Sequence, residues 1–241
     1  MYGIIGYPLL TTFSPGYFQE QFRLLGIRET YEKFPLVRIE DLEAVLKSHP
    51  GLLGLNVTIP YKQAVIPFLD ALDETAAKIG AVNTIKIMGG KLIGYNTDTI
   101  GFYNSLKPLL EAHHKQALIL GTGGASKAVA YALEQLNIPF QYVSRKKQQG
   151  QLVYSDLNAT IIQAHQLIIN TTPLGMKPFE GQYPELPFGA IGPEHLLYDL
   201  IYNPAATPFL SLGKAHGALT KNGYEMLIAQ ADAAWAIWQT V

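Results

Sequence analysis

Short apolar runs and amphipathic stretches alternate along the first hundred residues. Gly3-Ile4-Ile5-Gly6 reads as a strand, 15–26 as a helix and Tyr31-Glu32-Lys33-Phe34 as a strand. Then follow a helix over 39–48, a strand over Gly54-Leu55-Asn56-Val57-Thr58 and a helix over 61–69. This β-α-β-α order predicts an α/β fold with a mainly parallel sheet. The strands Gly80–Ile87 and Lys91–Tyr95 flank Met88-Gly89-Gly90, a hairpin whose two glycines supply the positive φ angles of a tight turn.

The pattern restarts near residue 98, where we expect a domain boundary. Residues 98–111 read as a helix with Ile100, Phe102, Tyr103, Leu106, Leu109 and Leu110 on one broad face, kinked or shortened by Pro108. The strand Ala117-Leu118-Ile119-Leu120 runs through a Gly-rich turn into a helix over 125–136. Three more strands are expected at Phe140–Val143, Leu167–Asn170 and Leu196–Leu200. An amphipathic helix over 223–239 closes the chain, and its pattern alone allows it to join either half.

Composition narrows the possible chemistry. The 241 residues carry 18 Lys plus Arg against 19 Asp plus Glu, a formal charge of −1. A general electrostatic grip on nucleic acid or acidic membrane needs a large basic excess and is excluded. The chain has no Cys, which excludes disulfides, iron–sulfur clusters, thiolate zinc sites and thiol nucleophiles. No run approaches the roughly 18 apolar residues of a membrane span, and the start lacks the basic flank of a secretory signal. The expectation is a soluble, cytoplasmic protein. Of the six histidines only His113 and His114 adjoin; on a helix they would diverge, so no metal is expected. No GxSxG nucleophile elbow occurs.

Gly121-Thr122-Gly123-Gly124-Ala125-Ser126 lies between a strand and a helix. There Gly121 permits the turn, Gly123 lets backbone approach a pyrophosphate, and the helix N-terminus faces the phosphates. Ser126 replaces the usual Gly or Ala and predicts slightly looser helix–strand packing. After the next strand comes Ser144-Arg145-Lys146-Lys147 in place of the acid that holds a ribose 2′-hydroxyl. Adjacent cations suit a 2′-phosphate, with Arg145 able to make a forked contact, so NADP is expected over NAD.

Polar residues also form four clusters in the first half, each expected to follow a strand: Thr11, Thr12 and Ser14; Asn56, Thr58 and Lys62; Asn83 and Thr84; Asn96, Thr97 and Asp98. Ligands of α/β sheets bind beyond strand carboxyl ends, so these clusters are expected to converge. Hydroxyls of Thr12 and Ser14 suit a carboxylate, Asn83 and Asp98 suit a diol, and Lys62 with Asp98 would form a proton-transfer pair. Taken singly, each has a plainer role: Asp98 as a helix N-cap, Lys62 as a surface cation, Asn83 as a hairpin residue.

The ordered set of motifs resembles the shikimate dehydrogenase family over nearly the whole chain. To those above it adds Gly3–Pro8, Asn170–Met176, Tyr198–Pro204 and Met226–Gln230. The resemblance implies NADPH-dependent reduction of 3-dehydroshikimate to shikimate in aromatic amino-acid biosynthesis, by a monomer or homodimer. It implies a substrate domain of 1–98 with 223–241, the last helix folding back onto it, and a Rossmann-like NADP domain of 99–222. It further implies catalytic roles for Lys62 and Asp98. Substrate contacts fall on Thr12, Ser14, Asn56, Thr58, Asn83, Tyr202 and Gln230. Cofactor contacts fall on Gly121, Thr122, Gly123, Gly124, Ala125, Ser144, Arg145, Lys146, Leu200 and Gly223. The chain departs from the family at Thr12, usually Ser; at Ser144-Arg145-Lys146, usually Asn-Arg-Thr; and in a short 148–166 segment with a truncated helix. Quinate oxidation with NAD(P), and a non-catalytic NADP-binding sensor, are the alternative readings.

Overall fold

The computed structural model of the chain describes residues 1–9 and 12–240. It forms two compact units, Met1–Thr97 with Ala231–Val241, and Asp98–Gln230.

The first unit contains β1 (Tyr2–Gly6), α1 (Ser14–Leu25), β2 (Tyr31–Pro35), α2 (Leu42–Ser48), β3 (Gly54–Val57), α3 (Tyr61–Ala64), β4 (Ala71–Leu72), α4 (Glu74–Ile79), β5 (Thr84–Met88) and β6 (Lys91–Tyr95). Its sheet runs β2-β1-β3-β5-β6-β4. β1 pairs in parallel with β2 and β3, and β4 with β6, whereas β5 runs antiparallel to both β3 and β6. The reversal comes from the hairpin turn, where Gly89 and Gly90 take φ of 58° and 77°, the left-handed pair a tight hairpin needs. Ile5, Leu55, Val57, Val82 and Ile85 form one core cluster; Tyr2, Phe18, Phe22, Tyr31 and Trp238 belong to another. Gly54 leaves room for the Trp238 indole, which donates to the Ile85 carbonyl at 3.0 Å.

Several expectations shift here. The helix expected over 61–69 stops at Ala64 and continues as a 3₁₀ turn at Ile66–Phe68, because Pro67 has no N–H to extend the ladder. That over 39–48 opens as a 3₁₀ turn, Ile39–Asp41. β5 begins at Thr84, not Gly80, since Gly80 (φ 66°) terminates α4, a helix the apolar pattern did not reveal. Asp73 caps α4 by accepting from Thr75 and Ala76 N–H at 3.1 and 2.8 Å. Ser14 opens α1 rather than lying in the preceding loop. Leu10 and Thr11 fall outside the described residues.

The second unit contains α5 (Asp98–Leu106), β7 (Ala117–Leu120), α6 (Gly124–Gln135), β8 (Phe140–Ser144), β9 (Leu152–Val153), α7 (Ala159–Ala164), β10 (Leu167–Asn170), β11 (Leu196–Asp199), α8 (Pro208–Ala215) and β12 (Leu219–Lys221); α9 (Tyr224–Gln239) follows. Its sheet is parallel throughout, in the order β12-β11-β10-β7-β8-β9. Counted within the unit, this is the doubly wound dinucleotide-binding order, with its switch point between β7 and β10. β7, β10 and β11 are buried along their whole length, as a sheet covered on both faces requires.

α5 ends at Leu106 before the 3₁₀ turn holding Pro108, as expected. Ile100 is 43% exposed, against expectation; the buried stripe is Asp98, Thr99, Gly101, Phe102, Ser105 and Leu106, and the roughly 100° step per residue carries position 100 off it. The 148–166 segment holds only the two-residue β9, a 3₁₀ turn at Tyr154–Asp156 and the six-residue α7. The first turns of α9, through Gln230, group with the second unit and the rest with the first, a division that differs from the expected domain limits. Gly101 brings α5 onto α9: a Cβ there would lie 2.4 Å from the Met226 carbonyl oxygen. Ala231, Ala234 and Trp238 instead join the aromatic cluster of the first unit.

Candidate active site

Polar residues of the first unit around Asn56, Asn83 and Thr97 meet at one end of its sheet. Asn56, next to last in β3, pairs with Thr84 at the start of β5, which pairs with Tyr95 at the end of β6. Because β5 is antiparallel, Asn83 precedes that strand and Thr84 opens it, rather than following a strand, yet both lie at the end where β3 and β6 finish. Backbone hydrogen bonds hold the loops there. Thr58 N–H donates to Ile5 at 2.9 Å, Tyr7 N–H to Ile59 at 3.0 Å and Val57 N–H to Asn83 at 2.8 Å.

The polar side chains themselves are connected. The Tyr31 phenol donates to Asn56 Oδ1 at 2.6 Å. Asn56 Nδ2 reaches Thr84 Oγ1 at 3.3 Å, and Thr84 Oγ1 donates to Asn83 Oδ1 at 3.1 Å. Asn83 also accepts from the Thr97 N–H at 2.7 Å and donates through Nδ2 to Thr97 Oγ1 at 2.9 Å. It therefore clamps the residue that precedes Asp98. Burial pushes the Tyr31 phenol pKa up, while a hydrogen bond with the Ser14 hydroxyl opposes this. Thr12 Oγ1 is sealed from solvent and has no hydrogen-bond partner among the described residues. A buried orphan hydroxyl costs about 1–3 kcal/mol, which a bound acceptor would relieve.

Lys62 is half-buried on α3. Its carbonyl accepts from the Val82 N–H at 2.6 Å, which fixes its backbone next to Asn83. Tyr61 beside it anchors the turn by donating its phenol to the Leu36 carbonyl at 2.7 Å. Asp98, in the second unit, is buried and is itself the first residue of α5 rather than a flanking cap. Gln230 packs on the same helix, 3.1 Å from a Cβ built on Gly101, and donates to the Leu227 carbonyl at 2.9 Å. Tyr202 is half-buried after β11, and burial raises its pKa.

At the switch point, Gly121 takes a φ of 108°, and a Cβ there would lie 2.8 Å from Thr171 Oγ1. Nothing lies within 4 Å of a Cβ on Gly123, the N-cap of α6, and no side chain caps that helix. Thr122 and Gly123 are exposed, with Gly124 and Ala125 half-buried behind them. Open space before uncapped N–H groups fits a diphosphate. Ser126 corrects the expectation of looser packing: it is buried and donates to the Gly123 carbonyl at 2.6 Å, tying the turn to the helix. Beyond β8, Ser144 donates to the Lys146 carbonyl, while Arg145 and Lys146 are exposed. Lys147 does not share their freedom: it pairs with Asp156, whose carboxyl it holds below the usual range. Leu200 donates to the Asn170 carbonyl at 3.0 Å. A Cβ on Gly223 would lie 2.1 Å from the Leu200 carbonyl oxygen, so only glycine fits.

One network escaped the reading of individual motifs. Asp199, fully buried at the end of β11, accepts at Oδ1 from Asn170 Nδ2 at 3.1 Å and Ile201 N–H at 3.0 Å, and at Oδ2 from Thr207 Oγ1 at 2.6 Å. Asn170 Oδ1 in turn accepts from Thr172 N–H and Oγ1 at 3.0 and 2.7 Å. Burial pushes Asp199 up to about 6 despite three donors. Its sequence signal was a polar residue closing each of two adjacent buried strands. Among the described residues no group of three or more His, Cys, Asp or Glu could hold a metal. His113 and His114 lie in a turn rather than on a helix, with rings 4.3 Å apart. No described helix is long and apolar enough to cross a membrane.

Residues 4–85 match the family model of the shikimate dehydrogenase substrate binding domain. A shikimate dehydrogenase (NADP(+)) of Carboxydothermus hydrogenoformans is 41% identical, the match covering 99% of this chain and 91% of the relative. The shikimate 5-dehydrogenase of Thermus thermophilus, solved in complex with NADP(H) and shikimate, superposes with a TM-score of 0.88 at 30% identity. That match covers 100% of this chain and 93% of the other. Quinate dehydrogenase from Corynebacterium glutamicum in complex with NAD superposes with a TM-score of 0.87 at 28% identity over 100% and 93% of the two chains.

Proposed function

Given that the chain belongs to the shikimate dehydrogenase family, we infer that it is an NADP-dependent oxidoreductase that reversibly reduces the ketone of 3-dehydroshikimate to the alcohol of shikimate, in aromatic amino-acid biosynthesis. The observation that carries this reading beyond family membership is the convergence of Asn56, Asn83, Thr84 and the Lys62 segment at one sheet end, in a chain whose second unit carries an open Gly-rich turn.

NADPH, when bound, supplies the hydride for the carbonyl carbon. Gly121, Thr122, Gly123, Gly124 and Ala125 would hold its diphosphate, Ser144, Arg145 and Lys146 its 2′-phosphate, and Leu200 and Gly223 would face the nicotinamide. The Lys62 Nζ donates a proton to the substrate oxygen as negative charge develops there, and takes one back in the oxidative direction. The Asp98 carboxylate accepts a hydrogen bond from the same hydroxyl. Thr12 and Ser14 bind the substrate carboxylate with Tyr202, while Asn56, Thr58, Asn83 and Gln230 bind the ring hydroxyls. Fixing both reactants in this way can lower the barrier by about 7–11 kcal/mol. The proposed NADPH-consuming biosynthetic step suits a cytoplasmic protein.

The test is the appearance of reduced nicotinamide on adding shikimate, repeated with quinate and with NAD. Shikimate with NADP should give the highest kcat/KM. A preference for quinate, or no turnover with either acid despite NADPH binding, would overturn the assignment.

A further inference from the structure

Asn56 is a carboxamide, and its usefulness in a binding site depends on which end faces the ligand. A bound hydroxyl meets a donor if Nδ2 points outward and an acceptor if Oδ1 does. We propose that Tyr31, which has no part in the reaction chemistry, is a positioning residue that sets this orientation and through it the substrate affinity of the site. The inference rests on the proposed function, because it takes the first-unit polar cluster as the shikimate site.

The geometry supports one polarity. At 2.6 Å the Tyr31–Asn56 contact has the length of an O–H···O bond and is shorter than an N–H···O bond, so the phenol donates to Oδ1 of Asn56. Nδ2 is thereby turned toward Thr84 Oγ1 at 3.3 Å and the Asn83 carbonyl at 3.4 Å. Both contacts are long, so the amide protons can strengthen a further bond to a ligand oxygen. Thr84 then has its own proton for Asn83 Oδ1. At the far end the Thr97 backbone N–H, a donor that cannot reverse, also meets Asn83 Oδ1. The three side-chain bonds from Tyr31 to Asn83 Oδ1 run in one direction, with the phenol as the donor at their head, and the Thr97 N–H closes the line by donating to the same Asn83 oxygen from the other side. The phenol itself cannot wander. Tyr31 is 3% exposed and its ring stacks on Phe18 at 4.8 Å with 12° between planes. That one buried hydroxyl meets Asn56, a side chain assigned to substrate and carried by a different strand.

Tyr31→Phe keeps the stacked ring and deletes only the oxygen. We expect the KM for shikimate to rise about five- to tenfold, the size of one lost hydrogen bond, with kcat and the KM for NADP within about twofold of wild type. In an Asn56→Ala background the same change should add less than about twofold to KM. An unchanged KM in the single variant, or a full multiplicative effect in the Asn56→Ala background, would overturn the proposal. So would a fall in kcat with KM unmoved, the mark of a merely structural residue. Should Tyr31→Phe fail to fold, wild-type protein still decides. The Asn56 side-chain NH₂ resonances, identified by their loss in Asn56→Asp, should shift when shikimate is added; unmoved resonances would refute an outward-facing Nδ2. Wild type that does not oxidise shikimate would fail the functional reading itself, which is a different result from wild-type turnover with an unaffected Tyr31→Phe.

Discussion

Asp199 provides a prediction whose sign separates two physical accounts of one buried carboxyl. It accepts three hydrogen bonds, which favour the anion, yet it is fully buried at the carboxyl end of its strand, which disfavours it. Burial dominates and lifts its pKa from 3.8 to about 6. Below about pH 4 the group is protonated in both folded and unfolded chains and contributes no difference. Between these limits the folded protein holds the proton that the unfolded chain has released, so stability falls as pH rises. Above pH 6 the full cost applies, about 2 pKa units at 1.36 kcal/mol each, or about 3 kcal/mol. Asp199→Asn cannot ionise and escapes that slope; the penalty for turning the Thr207 hydroxyl round does not vary with pH. The difference in unfolding free energy between variant and wild type should therefore move in the variant's favour by about 3 kcal/mol from pH 4 to pH 7.5. Urea titrations followed by far-ultraviolet circular dichroism would measure it. Tryptophan fluorescence is unsuitable because Trp235 and Trp238 both belong to the first unit and Asp199 to the second. A difference that stays flat, or moves in favour of wild type as pH rises, would refute the reasoning and show that the hydrogen bonds prevail over burial.

Two further changes test the binding groups. Thr12→Val removes the orphan buried hydroxyl while keeping its shape; we expect the unliganded protein to gain about 1 kcal/mol in denaturant titration and the KM for shikimate to rise about tenfold. Arg145→Ala deletes an exposed guanidinium; steady-state kinetics should show the KM for NADP rising about 10- to 100-fold, the worth of a charge-assisted hydrogen bond, with the KM for NAD unchanged.

The second unit was legible where local chemistry decides. A strand, a Gly-rich turn and a helix at 117–136 need no distant contact to be recognised, and the motif lies at the switch point of the observed sheet. Pro108 ended α5 where its missing N–H predicts. Elements whose apolar signal is too brief for periodicity were invisible: β4 and β9 are two residues each, and α4 six. The polar residues of the first unit could be grouped from sequence, but not their wiring. Tyr31 reads as an ordinary strand aromatic, and only the pairing of β1 with both β2 and β3 brings its hydroxyl to Asn56. Asp199 lies within the Tyr198–Pro204 motif, but its role is invisible in the sequence because its partners Asn170 and Thr207 are 29 and 8 residues away.

The central claim is that the Lys62 ammonium moves the proton at the substrate oxygen, and steady-state turnover of Lys62→Ala with shikimate and NADP tests it most directly. The account predicts a kcat lower by about 10²- to 10⁴-fold with the KM for shikimate changed only a few-fold. Turnover within a few-fold of wild type would contradict it.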